Sequence, residues 1–295
     1  MYSLKNYPPF LASEFPTERE NSLFHIIPIP LGQSKGPEKE VRKGPSAILK
    51  ASRKLEVFDG KSIPAETGIL TLPPVNCRGR IEEILNRIAD QVEDIFQQER
   101  IPVLLGGEHT ISNGAFLAIL RQIEDGAVNV GIVQIDAHGD LKESEEGSIY
   151  SNSCVMKRAV DMGFPIYQMG GRSLSSGEID LRKERNIPYR DARELCGGSG
   201  VKEITLSPDF PDYIYLTIDV DGLDPSIIPG TNRPEPGGLH WYQTLNLIES
   251  LAERYRIIGF DIVETAPGKK DKISGYTAAR LTYNIMGIIA RHMDE

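Results

Sequence analysis

The chain has 295 residues, of which 40% are hydrophobic and 25% charged, and its formal net charge is −9 at pH 7. This composition is typical of a globular protein with a large core, and an acidic balance without a basic cluster argues against a nucleic-acid partner. No apolar run reaches membrane-spanning length, and residues 1–15 lack the apolar core of a signal peptide. We therefore expect a cytoplasmic protein with no membrane partner, better suited to a cationic substrate than to an anionic one.

Five apolar, β-branched runs that stop at Gly, Asp or Pro predict buried strands. These runs are Leu23–Ile29, Ile101–Leu105, Val130–Ile135, Tyr213–Ile218 and Arg256–Ile262. Helices are predicted from Pro45 to about Leu55, over the apolar stripe from Ile81 to Phe96, and from Thr277 to Met293. Strands that alternate with helices indicate a three-layer α/β/α fold with a mostly parallel central sheet. No stretch has the composition of a linker, so we expect a single domain over residues 1–295.

Three of the predicted strands end in potential metal ligands. Asp136, His138 and Asp140 alternate after the run ending at Ile135, Asp219 and Asp221 follow the run ending at Ile218, and His109 follows Gly106-Gly107-Glu108. Alternate residues that leave a strand point the same way. Ligands of such sheets collect beyond the carboxyl ends of the strands. The six side chains are therefore candidates for one site.

The number of carboxylates in this group decides its interpretation. A single Asp-X-Asp motif can equally be a helix cap or a turn, and a lone histidine is more often structural. Close carboxylates at the ends of buried strands repel one another, however, and so require cations. Oxygen and imidazole ligands without thiolate favour manganese, with nickel, cobalt or zinc as alternatives. Because six ligands exceed the needs of one open ion, we predict two ions, about 3.5–4 Å apart, that hold a bridging hydroxide for hydrolysis.

With these motifs assembled, the chain resembles the ureohydrolase family, which includes arginase and agmatinase, from about Leu23 to Met293. Other matching stretches are Pro229-Gly230, Pro234 to Leu239, and Phe260 to Glu264 leading to Ala266-Pro267. Agmatinase-type members look most similar there. The resemblance implies an arginase-like fold, and because members of the family commonly form trimers or hexamers, we expect a homo-oligomer.

The resemblance also implies a role for each site residue. One manganese would be held by His109, Asp136, Asp140 and Asp219, and the other by Asp136, His138, Asp219 and Asp221. Asp136 and Asp219 would bridge the ions, and Asp140 would orient the bridging hydroxide. Glu264 matches the glutamate that binds the guanidinium of the substrate, although a salt bridge at a strand end is the alternative. The implied reaction is attack on the guanidinium carbon, which would convert agmatine to urea and putrescine.

One departure from the family pattern concerns proton transfer. Agmatinase-like sequences supply a proton to the leaving amine from the histidine of a Tyr-Ser-His segment, and here that segment is Tyr150-Ser151-Asn152-Ser153. We assign Asn152 to this catalytic and substrate-contacting position. An amide does not exchange protons as an imidazole does. Because general acid–base assistance contributes roughly 10²–10⁴-fold, activity could be much reduced.

A second departure concerns the substrate tail. Asn232-Arg233 stands where agmatinase-like sequences carry Gly-Thr. Arg233 would oppose a cationic tail or attract a carboxylate, unless it is a solvated loop residue. Glu143, Glu145 and Glu146 lie in the loop that the family uses to read the far end of the substrate. We predict that Glu143 binds an amine tail, although such a charge run is more often a solvated face.

Three alternatives to an agmatine hydrolase remain open at this point. The chain could act on another guanidino compound, such as guanidinobutyrate, arginine or guanidine. It could instead bind metal without ureohydrolase activity, as a regulatory or assembly subunit, because of Asn152. The third alternative is a metal-dependent amide hydrolase such as a deacetylase. Deacetylases usually bind one zinc through fewer ligands, so the six-ligand set and Glu264 argue against it.

Overall fold

The computed structural model of the protein describes residues 6–11, 21–33, 36–124, 129–197 and 203–293. Their eight strands form one sheet in which every neighbouring pair is parallel. The strands are β1 (Phe24–Ile29), β2 (Ile69–Thr71), β3 (Ile101–Gly106), β4 (Val130–Ile135), β5 (Ile166–Met169), β6 (Tyr189–Arg190), β7 (Tyr213–Asp219) and β8 (Arg256–Val263). Their order across the sheet is β2-β1-β3-β8-β7-β4-β5-β6.

Helices cover both faces of this sheet. They are α1 (Gly44–Ser52), α2 (Ile81–Gln97), α3 (Ser112–Glu124), α4 (Val155–Asp161), α5 (Ser176–Glu184), α6 (Ala192–Cys196), α7 (Trp241–Ala252) and α8 (Ser274–Arg291). One core cluster joins α1, α7 and α8 to side chains such as Val103 and Ile135. The other joins α2, α3 and α4 to side chains such as Leu104 and Ile132, which alternate with the first set along their strands. The predicted three-layer α/β/α fold with a parallel sheet is confirmed.

The sequence pattern missed three strands, and each omission has a physical reason. Strand β2 has three residues and β6 has two, both of them exposed, so neither offers a run long enough to show a period. Strand β5 is buried, but Gln168 interrupts its apolar character. The helix predicted to run to about Leu55 ends at Ser52. Within the described residues, no helix combines the length and the apolar character needed to cross a membrane.

Gly107 fixes the path of the chain just after β3. Its N–H donates to Ile29 O, and its carbonyl accepts from Glu264 N, each at 2.9 Å. A Cβ at this position would lie 1.9 Å from the carbonyl oxygen of Leu31. This contact is with backbone and cannot be relieved by rotating a side chain. The close approach of β1, β3 and the end of β8 therefore requires glycine here.

We predict that Gly107→Ala lowers the free energy of unfolding by about 1–3 kcal/mol, because the added methyl group displaces the end of β1. Gly177→Ala is the matched control, since outside its own stretch of helix no described atom lies within 4 Å of a Cβ built at that position. The control should be neutral or stabilise by up to about 1 kcal/mol. Urea denaturation of both variants measures the difference, and equal midpoints would contradict the steric argument.

Candidate metal centre

The site lies where the four central strands end. Strands β3, β8, β7 and β4 are neighbours, and because all are parallel, the loops that follow them meet at one edge of the sheet. His109 follows β3, Glu264 follows β8, Asp219 ends β7, and Asp136 follows β4. The remaining predicted ligands, His138, Asp140 and Asp221, lie a few residues further along these loops. The structure therefore brings together all six predicted metal ligands.

Two groups of side chains have the spacing needed to hold a cation. Ligand atoms of His109, Asp136 and Asp219 all lie within 4.8 Å of one another, and so do those of Asp136, His138 and Asp221. Asp136 belongs to both groups, as expected of a bridging carboxylate. These triads are smaller than the sets predicted from the sequence, since Asp140 belongs to neither and Asp219 only to the first. Asp140 is nevertheless adjacent, with Oδ2 2.9 Å from His109 Nδ1.

The two oxygens of Asp136 face different histidines. Oδ2 lies 3.4 Å from His109 Nδ1, and Oδ1 lies 3.4 Å from His138 Nδ1. Each oxygen also accepts one hydrogen bond, Oδ1 from His138 N at 2.7 Å and Oδ2 from Gln134 Nε2 at 2.8 Å. Because a carboxylate oxygen has two lone pairs, each keeps one for a metal. This geometry suits a carboxylate that gives one oxygen to each of two ions.

The hydrogen bonds around His109 give the imidazole the tautomer that a metal needs. Thr217 Oγ1 donates to Asp261 Oδ1 at 2.8 Å, so it accepts from His109 Nε2, which lies 2.9 Å away. With the proton on Nε2, the buried Nδ1 turns a lone pair toward carboxylates, which are acceptors as well. In this tautomer no described residue donates a hydrogen bond to Nδ1. Acceptors that face each other in a buried site need a cation between them, and the residues therefore fit a metal.

The protonation of the metal-free site shows the same need for positive charge. Burial lowers the pKa of His138, but the adjacent carboxylates of Asp136 and Asp221 outweigh it and raise that pKa to about 11. Burial and the charge of Asp136 raise the pKa of Asp140 to about 7. Burial raises the pKa of Asp219 well above its ordinary value, with further contributions from Asp221 and Asp136. Protons thus take the place of the cations, and a metal must displace them.

Glu264 lies beside this centre in a strained conformation. Its backbone φ is +60° and that of Asp140 is +51°, a left-handed region that non-glycine residues rarely adopt and that often marks functional sites. Glu264 Oε1 accepts from His109 N at 2.8 Å, and Oε2 accepts from Asn232 Nδ2 at 3.4 Å. Burial raises the pKa of Glu264 to about 8. The carboxylate is therefore held in place, and a cation in the cleft would favour its ionised form.

A cleft opens over the ligands and Glu264. Besides Glu264 and four of the predicted ligands, it is lined by Glu145, Ser151, Asn152, Ser153, Thr231, Asn232 and Arg233. The Oδ1 atom of Asn152 accepts from Thr110 N at 3.2 Å and from Thr110 Oγ1 at 2.9 Å. Thr110 thus holds the amide oxygen and leaves the NH₂ group for a molecule in the cleft. Asn152 lies where the sequence predicts it, at the wall of the site.

The acidic loop is arranged differently from the sequence prediction. Glu143 does not line the cleft: its side chain is 75% exposed, and it pairs with Lys157 at 2.8 Å and with Arg158 at 3.6 Å. Glu145 lines the cleft instead, and hydrogen bonds from Lys142 and from Ser151 and Ser153 overcome its burial and lower its pKa to about 2. The prediction that Glu143 contacts the substrate does not fit this placement, because the cations of α4 hold its carboxylate outside.

Several contributing residues were missed by sequence reasoning. Thr217, which orients His109, alternates with Asp219 on β7, so the period of the strand could have found it. Glu145 lies in the same acidic run as Glu143, and no pattern distinguishes which of the two turns inward. Thr110 carries no signal of its own, since its contact with Asn152 joins two distant loops.

Known proteins similar to this chain share one enzyme family. The family model described as the arginase family matches residues 22–287. An N(1)-aminopropylagmatine ureohydrolase of Synechocystis sp. is 33% identical over 286 residues, which cover 94% of this chain and 92% of that protein. An agmatinase of Pyrococcus horikoshii is 28% identical, over 94% of this chain and 96% of that protein. These matches favour a ureohydrolase over the deacetylase alternative.

A solved structure shows the same fold. The agmatine ureohydrolase of Thermoplasma volcanium superposes with a TM-score of 0.81, covering 100% of this chain and 97% of that chain at 24% identity. This confirms the arginase-like arrangement expected from the sequence.

The crowded carboxylates predict how pH affects the metal-free protein. Asp140, Glu264, His109 and His138 all have raised pKa values in the folded state. Between its unfolded and folded pKa values, each group binds a proton only in the folded state. Stability therefore falls as pH rises from about 5 to about 9, by roughly 1.4 kcal/mol per pH unit for each such group.

Urea denaturation of the chelated protein at several pH values measures this fall. Added Mn²⁺ should stabilise the protein more at high pH than at low pH, since its ligands must be deprotonated. A metal-free stability that is flat or rising over this range would contradict the expected protonation of the site.

Proposed function

The chain belongs to the arginase family, and from that membership we propose that it hydrolyses a guanidino compound to urea and an amine, with agmatine or its aminopropyl derivative as substrate. Asp136 carries this proposal: each of its oxygens faces a different histidine, beside the buried carboxylate of Glu264. The similar proteins named for agmatine and aminopropylagmatine support the choice of substrate. Members of this family depend on two metal ions, and the donor set here fits them.

The residues that would hold the ions follow from the two triads. His109, Asp136 and Asp219 would hold one ion, with Asp140 close enough to join them, and Asp136, His138 and Asp221 the other. Oxygen and imidazole donors suit Mn²⁺ best, with nickel, cobalt or zinc as alternatives. When bound, such a pair of ions lowers the pKa of a water molecule enough to supply a hydroxide nucleophile near neutral pH.

Glu264 would bind and orient the guanidinium group. A planar guanidinium presents parallel N–H groups that a carboxylate accepts through both oxygens. His109 N and Asn232 Nδ2 each use one lone pair of this carboxylate and so fix its plane. Because the site is buried, the charge pair is little screened by solvent, and the substrate carbon is held next to the ligands.

Asn152 sets a limit on the rate. Its NH₂ group can donate a hydrogen bond to the leaving nitrogen, but it cannot give up a proton at neutral pH. The leaving amine must then take its proton from water or from another group, without the roughly 10²–10⁴-fold contribution of a positioned acid. We therefore propose a slow ureohydrolase whose metal centre and guanidinium site are intact.

Arg233 supports a second candidate, a substrate with a carboxylate tail such as guanidinobutyrate. Its exposed side chain lines the cleft and the groove that continues beyond it, and it has no ion-pair partner within the described residues. Glu145, which lines the same cleft, is already paired with Lys142 at 2.8 Å. Arg233 would repel an ammonium tail and attract a carboxylate.

We also propose, from the family pattern, that the protein is a cytoplasmic homo-oligomer.

We predict that the manganese-loaded native protein releases urea slowly from one member of a panel of agmatine, aminopropylagmatine, arginine, guanidinobutyrate and guanidine. Asn152→His should increase kcat by about 10²-fold or more, because it restores a proton donor. Asn152→Ala is the control for loss of the amide, and it should give no increase. If the native protein binds two metals but only Asn152→His releases urea, the native chain is not a ureohydrolase, and a regulatory or assembly role replaces this proposal.

Arg233→Ser tests the substrate tail. Removing the charge should raise kcat/KM for agmatine by roughly 3–10-fold and lower it for guanidinobutyrate by a similar factor, as expected for a partly screened charge. The exposed Arg185, which lies at the opposite end of the sheet, provides the control Arg185→Ser. Kinetics with both substrates, in the more active of the native and Asn152→His backgrounds, measure the ratio. An unchanged ratio would show that Arg233 is a solvated residue without a role in specificity.

A further inference from the structure

A buried chain of hydrogen bonds runs from Asp136 to the outer edge of the sheet. Asp136 Oδ2 accepts from Gln134 Nε2 at 2.8 Å, and Gln134 Oε1 accepts from Gln168 Nε2. Gln168 Oε1 accepts from Arg182 Nε at 2.8 Å, and Arg182 Nη1 donates to Asp191 Oδ1 at 2.9 Å. Gln134, Gln168 and Arg182 are all buried. A buried polar side chain without a hydrogen-bond partner lowers the folding stability by about 1–3 kcal/mol. Loss of one residue of this hydrogen-bond chain therefore leaves its neighbour unpaired.

The register of the sheet places these side chains side by side. Gln134 and Gln168 are Cα partners on the neighbouring strands β4 and β5. Gln134 stands two residues before Asp136, so the two side chains leave β4 on the same face. Arg182 comes from the last turn of α5, and its guanidinium lies over the ring of Tyr189 at 4.5 Å. A cation is thus supported at the outer end of the chain and a carboxylate at the inner end.

The direction of every amide in this chain is determined by its partners. Gln168 Nε2 also donates to the carbonyl oxygen of Gly139 at 2.7 Å, so both of its hydrogens are used and its oxygen must face Arg182. Arg182 can only donate, which excludes the flipped amide. Gln134 then has its oxygen toward Gln168 and its nitrogen toward Asp136. All bonds between Arg182 and Asp136 run from the cation to the Asp136 carboxylate, an alignment in which each bond polarises the next.

The chain of hydrogen bonds restricts the rotation of the Asp136 carboxylate. Its Oδ1 is fixed by His138 N at 2.7 Å, and its Oδ2 is fixed by Gln134. With both oxygens fixed, one lone pair of Oδ2 is directed to the side of His109 and one of Oδ1 to the side of His138. A carboxylate free to rotate could give both oxygens to a single ion, and the second ion would lose a ligand. The bond from Gln134 removes that freedom.

Resting on the proposed function, we propose that Gln134, Gln168 and Arg182 are positioning residues that hold Asp136 as the bridge between the two metal sites. Gln168 contributes twice, because its bond to Gly139 also ties down the segment between His138 and Asp140. The three residues belong to neither triad and are not among the residues that line the cleft. Their effect should therefore be found first in metal affinity and only through it in catalysis.

The test is the affinity of the purified full chain for Mn²⁺, measured by calorimetric titration without substrate. Gln134→Leu removes the bond to Asp136, and we expect it to weaken binding by about 10–100-fold, the range found for partners of metal ligands. Because Asp136 belongs to both triads, both binding steps should weaken. Ser250→Ala is the matched control, since Ser250 makes buried hydrogen bonds to Ile204 N and Leu247 O, away from the site. The control should keep the native affinity.

If Gln134→Leu does not fold, Gln168→Met decides the question. It removes the middle link but leaves Gln134 able to reach Asp136, and we expect a loss of about tenfold. Native affinity in a folded variant that lacks the link would overturn the positioning role, whether or not the native protein releases urea. A native protein that binds two ions and releases no urea would overturn the proposed function and leave the metal titration unaffected.

Discussion

Burial of several like charges side by side is the constraint that governs this site. Asp136, Asp140, Asp219 and Asp221 are all buried within reach of Glu264 at one edge of the sheet. The desolvation of each carboxylate costs several kcal/mol, and their mutual repulsion adds to that cost. The fold can keep such a group only if protons or divalent cations neutralise it. Protons can do so at neutral pH only where the pKa values of the carboxyl groups are raised. Metal binding must displace these protons, so it is coupled to the folding stability of the protein.

The backbone positions these carboxylates with the same kind of hydrogen bond at three places. Asp136 accepts from the N–H of His138, Asp219 from that of Asp221, and Glu264 from that of His109. Each bond uses a lone pair that a bound metal or guanidinium would not need, and each fixes the direction of the carboxylate. A parallel sheet supports this arrangement because its loops all leave from the same edge, so four short segments can supply every ligand. The side-chain network behind Asp136 adds to what the backbone provides.

The parts of this arrangement that were predictable are those in which one short segment carries the whole signal. Strands β4 and β7 could be predicted because an apolar run ends directly at alternating ligands, so the same residues mark both the strand and the site. Asp140 could be predicted as a neighbour of the centre, but not that it lies outside both triads. Asp140 also has a left-handed φ of +51°, which no residue pattern shows for an aspartate.

Contacts between distant segments were beyond the sequence. Whether Glu143 or Glu145 turns inward depends on Lys157 and Arg158 of one helix and on two serine hydroxyls of the loop. The pairing of Gln134 with Gln168 depends on the register of β5 against β4. The apolar pattern did not predict β5, because Gln168 interrupts its run of apolar residues. In both cases, the partner that holds the polar residue is distant in sequence, so no local pattern shows the contact.

Charged side chains at the base of the cleft contribute more free energy than those at its mouth. The residues proposed for the reaction are therefore constrained by the fold more strongly than those proposed for the choice of substrate. At the base, loss of one partner leaves a buried charge uncompensated, at a cost of about 3–5 kcal/mol, so few side chains are compatible with the fold. At the mouth, an exposed charge such as Arg233 contributes only about 0–1 kcal/mol. Substitutions there can change the preferred tail while the fold and the metal centre remain the same. Membership of the arginase family is therefore visible in almost the whole chain, whereas on the proposed function the choice of substrate would depend on a few residues around Asn152 and Arg233.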